Sequence, residues 1–399
     1  MAGRSGGTVQ SDKILILTGA EVAKLLEDRE HAVIEMVRAA YDAHFNQQTC
    51  LPHSLFLKFP ENPENRIIAL PAYVGVGGGT VGMKWISSFP ANVTKGIDRA
   101  SGIIILNSLE TGRPVAVLEG SIISAKRTAA SAVLAASLLV RDHKLESVAL
   151  IGCGRLNFEI QRFFHAVFPS LQKVFVYDLK SERAQTFAVA CMRHFPVCEV
   201  EILDDLSSAL GAAPVISIAT TAARPYIHNL DAVAKGGLIL HTSLRDLAPE
   251  VILACDNVVD DSDHANRAQT SIHLATQKSG RVDFIRCTLA EVSAGCAPAK
   301  PRRDSITVFS PFGLGILDIA VAQNVSDAAT RAGIGTWIDE FFPQSWFDLS
   351  ADQLGLRTEA GTEFGAEAAV VNTPCRRGER QAANFSRPGD SLADMRRMK

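Results

Sequence analysis

The sequence predicts an α/β protein: a doubly wound parallel sheet joined to an α+β domain. Three observations carry that reading. From residue 148 onward, continuous apolar strands alternate with helical stretches, the pattern of a parallel sheet covered on both faces. A tight glycine turn, Gly152-Cys153-Gly154, follows the first of those strands. Ahead of residue 126, short strand-like runs bounded by Gly, Pro or Asn follow a single long helical pattern. The later segment is of the Rossmann type.

The helical pattern covers residues 18–45, where Val22, Leu25, Leu26, Val33, Ile34, Val37 and Tyr41 recur at three- and four-residue spacing. Strands are predicted at 54–59, 67–71, 82–86, 102–106 and 114–118, with Glu110-Thr111-Gly112-Arg113-Pro114 as a hairpin turn, so this sheet should be mostly antiparallel. Residues 127–140 form an Ala/Leu helix that is apolar almost all round and should lie buried between domains. Strands then fall at 148–151, 174–177, 199–202, 215–220, 237–241 and 257–259, with helices at 159–168 and 182–195. Residues 315–332 read as a helix, and from about residue 348 the periodicity is lost, as in a flexible tail.

Composition narrows the function. At 399 residues two domains are expected, and 47% hydrophobic with 21% charged residues suits a soluble globular chain. A net charge of −3 gives no electrostatic reason for nucleic acid or an anionic membrane as partner. The eight cysteines form no CxxC and no Cys/His cluster, which speaks against a structural metal and for a reducing cytoplasm. No signal core or long apolar span is seen, so a cytoplasmic location is expected.

The glycine turn carries the first chemistry. Gly152 permits a sharp turn, and Gly154 lets backbone approach a pyrophosphate above the next helix, with Asn157 where the full fingerprint has a third glycine. The second strand ends at Asp178, 24 positions beyond Gly154. An acid there accepts the ribose hydroxyls and repels a 2′-phosphate, which favours NAD over NADP; the alternative is a helix cap, and Lys180 and Arg183 stand nearby.

The string Glu119-Gly120-Ser121-Ile122-Ile123-Ser124-Ala125-Lys126-Arg127-Thr128-Ala129-Ala130 resembles the signature of the ornithine cyclodeaminase/mu-crystallin family. Gly82-Met83-Lys84-Trp85 and Val308-Phe309-Ser310-Pro311-Phe312-Gly313-Leu314-Gly315 resemble it too, and the likeness runs from about residue 15 to 340. The resemblance implies an NAD(P)-dependent enzyme acting at the α-carbon of amino acids or imines, usually a homodimer. It implies a discontinuous catalytic and dimerisation domain, 10–126 with 315–345, around an NAD-binding domain, 127–314, and leaves 346–399 as tail. Leu51-Pro52-His53-Ser54-Leu55-Phe56-Leu57 and Lys84-Trp85-Ile86-Ser87-Ser88-Phe89-Pro90-Ala91-Asn92 are most similar to one branch of the family. That branch oxidatively hydrolyses a secondary amine joining a glutamate to a diaminopropionate. Cyclodeaminases carry a carboxylate-gripping arginine near the position of His53.

Each candidate residue has a functional and a plainer reading. Lys84 is a substrate-binding and catalytic residue by resemblance, and otherwise a solvated strand-end lysine. Arg127 and Thr128 are read as opening a helix and holding a cofactor phosphate, or as a cap with an interdomain salt bridge. Ser101 matches a cofactor-contacting position, or is an edge serine. Thr220, Ser243, Leu244 and Arg245 lie at carboxyl ends of parallel strands, where ligands bind. Asp246 approximately matches the family's catalytic aspartate, unless Arg245 pairs with it structurally. His53 binds a substrate carboxylate, shuttles a proton or is structural, and His241 is core. Rival readings are a cyclodeaminase, a ketimine reductase or an alanine dehydrogenase on the same fold, and a non-catalytic crystallin-like binding protein.

Overall fold

The computed structural model describes residues 12–140, 144–300 and 304–343; the expected tail, 346–399, lies outside the described residues. Two eight-stranded sheets organise the chain. The first holds β1 (Ile14–Leu17), β2 (Thr49–Cys50), β3 (Leu55–Phe59), β4 (Asn62–Val74), β5 (Thr80–Ser88), β6 (Ala100–Asn107) and β7 (Pro114–Glu119). The second holds β8 (Ser147–Ile151), β9 (Lys173–Tyr177), β10 (Glu199–Ile202), β11 (Val215–Ile218), β12 (Leu238–His241), β13 (Asp256–Val259), β14 (Ile285–Thr288) and β15 (Thr307–Ser310). The chain then returns to the first sheet as β16 (Thr336–Ile338).

The first sheet runs β16-β1-β7-β6-β5-β4-β2, with β3 also on β4. It is antiparallel except where β1 lies parallel to β7. The second sheet runs β10-β9-β8-β11-β12-β15-β13-β14, with each adjacent pair parallel. Its central strands are buried on both faces, which explains why they read as unbroken apolar runs rather than alternating ones.

Two helices depart from the sequence reading. The pattern at 18–45 is two helices, α1 (Gly19–Leu25) and α2 (Glu30–Phe45), broken where Asp28 takes φ +53°. The Ala/Leu helix, α3 (Ser121–Leu139), begins six residues before Arg127. The carboxylate of Glu119 caps it, accepting the amides of Ser121 at 2.7 Å and Ile122 at 3.0 Å. By length and composition α3 could cross a membrane, but it is largely buried inside this fold. It packs against α2 and β6 as well as against β12, β15 and α4 (Arg155–Val167) of the second layer. The last long helix, Gly315–Ala332, has the predicted bounds and lies over α2, α3, β4 and β5.

Candidate active site

Lys84 sits in the middle of β5 on the face turned to the Gly315–Ala332 helix and is 2% exposed. Its Nζ lies 2.8 Å from Asp318 Oδ2, in an ion pair that lacks hydrogen-bond directionality, and donates to Ser124 Oγ at 3.0 Å. Arg127 Nε donates to the other oxygen, Asp318 Oδ1, at 2.9 Å. Asp318 is completely buried, so one carboxylate holds two cations out of water. Burial and the neighbouring Arg127 charge push the Lys84 amine down to about 8, although Asp318 pulls the other way. A lysine so placed can exchange a proton near neutrality.

The loop after β15 closes over this group. Asp260 accepts the amides of Phe312 at 2.8 Å and Gly313 at 2.7 Å, and burial pushes its own carboxyl up. Gly313 has φ +92°, and a Cβ there would stand 2.9 Å from Arg127 Nη1. Glycine is therefore required for the Arg127 guanidinium to lie against the loop.

The dinucleotide-type turn lies at the carboxyl end of β8. Gly152 has φ +94°, and a Cβ on it would lie 2.5 Å from Ala219 O, so the turn admits no other residue without distortion. Asn157, fully buried, donates to Ile151 O at 3.0 Å and Gly152 O at 2.8 Å, and accepts from Ser217 Oγ at 2.7 Å. It thus braces the turn with its side chain. Gly154 is the N-cap of α4, and no side chain caps that helix. A Cβ built on Gly154 meets only Arg183, at 4.0 Å. Asp178 accepts the Cys153 amide at 2.9 Å and the Lys180 amide at 3.0 Å, and borders a pocket of about 150 Å³ with Ile202, Leu203 and Asp204. Free amides at an uncapped helix start, open space above Gly154 and an acid at the second strand's tip fit an adenine dinucleotide.

Asp246 forms a separate cluster at the carboxyl ends of β11 and β12. It is fully buried and accepts from Thr220 Oγ1, from Ser243 Oγ and, at 3.2 Å, from His241 Nε2. Burial pushes its carboxyl up, but the bonds from His241, Ser243 and Thr220 outweigh that and hold it below the usual range. His241 also meets Ser310 Oγ at 3.2 Å, so this core histidine orients the cluster. Leu244, at φ +74°, is strained backbone beside it, and Arg245 donates to Ala268 O at 2.6 Å rather than pairing with Asp246.

The structure therefore brings Lys84 and Arg127 together, and Thr220, Ser243 and Asp246 together. Arg127 and Thr128 do not open a helix: they lie in the second turn of α3, where backbone amides are spent within the helix. Thr128 Oγ1 donates to Ser124 O at 2.7 Å, and Arg127 is committed to Asp318. Ser101 meets Ser87 Oγ at 3.0 Å in an exposed pair. His53 is exposed, with its Nε2 in a 2.5 Å hydrogen bond with Asp263 Oδ2 and His264 beside its ring.

Sequence reasoning missed Asp318, Ser124 and Asp260. Asp318 had a signal: it is the one charged residue in the apolar run Gly315-Ile316-Leu317-Asp318-Ile319-Ala320-Val321-Ala322. An unpaired acid there would be too costly to bury.

The profile of the ornithine cyclodeaminase/mu-crystallin family matches residues 15–333. The chain is 30% identical over 335 residues to N-((2S)-2-amino-2-carboxyethyl)-L-glutamate dehydrogenase of Staphylococcus aureus, covering 82% of this chain and 98% of that protein. Alanine dehydrogenase of Archaeoglobus fulgidus is 29% identical over 333 residues, with 82% and 98% covered. Among solved structures, an archaeal alanine dehydrogenase dimer with bound NAD superposes with a TM-score of 0.73 at 27% identity, over 83% of this chain and 100% of that one.

Proposed function

The chain belongs to the ornithine cyclodeaminase/mu-crystallin family, and we propose that it is an NAD-dependent dehydrogenase acting on a CH–NH bond of an amino-acid substrate. More finely, we infer that it converts N-(2-amino-2-carboxyethyl)-L-glutamate, water and NAD⁺ into 2-oxoglutarate, L-2,3-diaminopropionate, NADH and a proton. The observation that carries the reading is Lys84, buried between Asp318 and Arg127 with its amine pushed down to about 8. His53, where a cyclodeaminase carries arginine, and the Staphylococcus aureus relative favour this substrate.

Bound NAD⁺ supplies the oxidising chemistry, removal of a hydride from the glutamyl α-carbon. The chain does the rest. The turn Gly152-Cys153-Gly154 and the start of α4 hold the phosphates, and Asp178 takes the ribose. Lys84, as free amine, accepts the proton of the water that adds to the imine carbon, then returns it to the departing amine nitrogen. Asp318 holds Lys84 in place and Arg127 keeps the lysine's proton affinity low. Asp246, ionised and fixed by three donors, orients the strand ends at the cofactor edge of the site. In this reading the enzyme works in the cytoplasm as a homodimer, and its product feeds siderophore or peptide-antibiotic assembly.

Incubation with the proposed amine and NAD⁺ tests it: NADH, 2-oxoglutarate and 2,3-diaminopropionate should appear in equal amounts. Proline and ammonia from ornithine without NADH accumulation would make it a cyclodeaminase. NADH formed from alanine alone would make it an alanine dehydrogenase.

A further inference from the structure

Three arginines converge at the edge of the site, and only Arg245 feels a nearby carboxylate, that of Asp246. Arg66 lies on β4 directly opposite Ser88 of β5, and Ser88 is opposite Ala100, next to Arg99. Arg99 Nη1 donates to Ser88 Oγ at 2.7 Å, and Arg245 donates to Ala268 O. Arg66 Nε is buried and meets no hydrogen-bond acceptor. Among the described residues, none forms an ion pair with Arg66, Arg99 or Arg245. Burial pushes all three guanidinium groups down, and the Arg66 charge pushes Arg99 and Arg245 down further. On the other side, Lys58 of β3 stands directly across from Arg66. Like charges opposite each other destabilise a sheet, and a half-buried guanidinium whose Nε meets no acceptor adds to that cost. An anion entering here would relieve both.

The register says where that anion sits. Side chains alternate along a strand, so Lys84, Ile86 and Ser88 share one face of β5, and their partners Leu70, Ile68 and Arg66 share the same face of β4. Arg66 is thus four residues, roughly 13 Å of strand, from Lys84 on the same surface. A substrate laid along this face would reach from the Lys84 amine toward the Arg66 side chain. The cofactor's phosphates have their own donors at the uncapped start of α4.

We propose that Arg66 and Arg99, with Arg245 at their border, form a second anion subsite that takes a carboxylate of the substrate remote from the carbon at which Lys84 works. The proposal rests on the dehydrogenase reading and narrows it: the substrate carries more than one carboxylate, unlike alanine or ornithine. Guanidinium forks bind carboxylates bidentately, so the subsite also fixes which way round the substrate lies.

The test needs no turnover. The NADH-loaded protein is titrated calorimetrically with 2-oxoglutarate and with 2-oxobutyrate, which lacks the second carboxylate. The dicarboxylate should bind about tenfold to a hundredfold more tightly, the worth of one charge-assisted contact. Arg66→Gln and Arg99→Gln should each erase most of that preference while NADH affinity stays within about twofold, a retention that also reports intact folding. Equal affinity of the unaltered protein for the two acids would overturn the proposal. So would variants that weaken NADH as much as 2-oxoglutarate, which would put the arginines on the cofactor's phosphates. An intact dicarboxylate preference in a protein that does not oxidise the proposed amine would leave the subsite standing and sink only the reaction.

Discussion

The glycine turn and the Lys84 group handle their polar atoms in opposite ways. Around Gly152 the bonds are short-range: Asn157 to the carbonyls of Ile151 and Gly152, Asp178 to the amides of Cys153 and Lys180. Apart from Ser217 and Ala219 at the end of β11, the turn is built within one β-α-β unit, and what it offers a ligand is backbone. Around Lys84 the partners come from α3 and the Gly315–Ala332 helix, and what they offer is side-chain charge and a hydroxyl. A site for an unvarying cofactor can be built locally, whereas one that shifts a lysine's proton affinity needs a carboxylate and a second cation delivered by tertiary packing.

The largest effect should come from Asp318→Asn. It leaves Lys84 and Arg127 buried with no counter-charge, and breaking such a pair costs about 3–5 kcal/mol. Denaturant unfolding should show that loss, and a loss below about 1 kcal/mol would mean the three charges do not depend on one another. Gly152→Ala tests the local half. Strain at φ +94° and the contact with Ala219 O should weaken NADH binding by about 1–3 kcal/mol in calorimetry while the unfolding midpoint moves less. Unchanged affinity would show that the turn tolerates a side chain.

Asp178→Ala should have a smaller effect. The unaltered protein should bind NADH more tightly than NADPH, and the variant should lose about tenfold of that preference, comparable to one hydrogen bond to a charged group. Equal affinity of the unaltered protein for both cofactors would remove Asp178 from the ribose. The smallest shift is in pH. Because burial and Arg127 hold the Lys84 amine at about 8, well below an ordinary lysine, kcat/KM should rise as pH increases through about 8. Arg127→Gln removes one of the two causes, so the rise should move to higher pH. A rise that stays put would assign it to another group.

The same contrast decides what could be read from the sequence. The turn at Gly152, the acid at Asp178 and the Gly315–Ala332 helix were legible because spacing within one segment specifies them. The start of α3 was not, because its cap is Glu119, a side chain reaching forward from the preceding strand, where a Ser, Thr or Asp would have announced the terminus. That error placed Arg127 and Thr128 at a phosphate-binding helix start, whereas Arg127 faces Asp318, 191 positions away. The break between α1 and α2 was hidden because Leu25 and Leu26 keep the apolar spacing up to a non-glycine residue, Asp28, in the left-handed region. Asp246 was placed at the right strand end, but of its donors only His241 and Ser243 are close in sequence; Thr220, in the loop after β11, is brought to it by strand pairing.

In the proposed reading, proton transfer belongs to Lys84 and cofactor binding to the glycine turn. Lys84→Ala tests it most directly when NADH affinity and turnover of N-(2-amino-2-carboxyethyl)-L-glutamate are measured on the same preparation. NADH affinity should stay within about twofold of the unaltered protein and turnover should fall by at least about a hundredfold, the lower range for a lost general acid–base. Turnover surviving within about tenfold, or lost only in step with NADH binding, would contradict it.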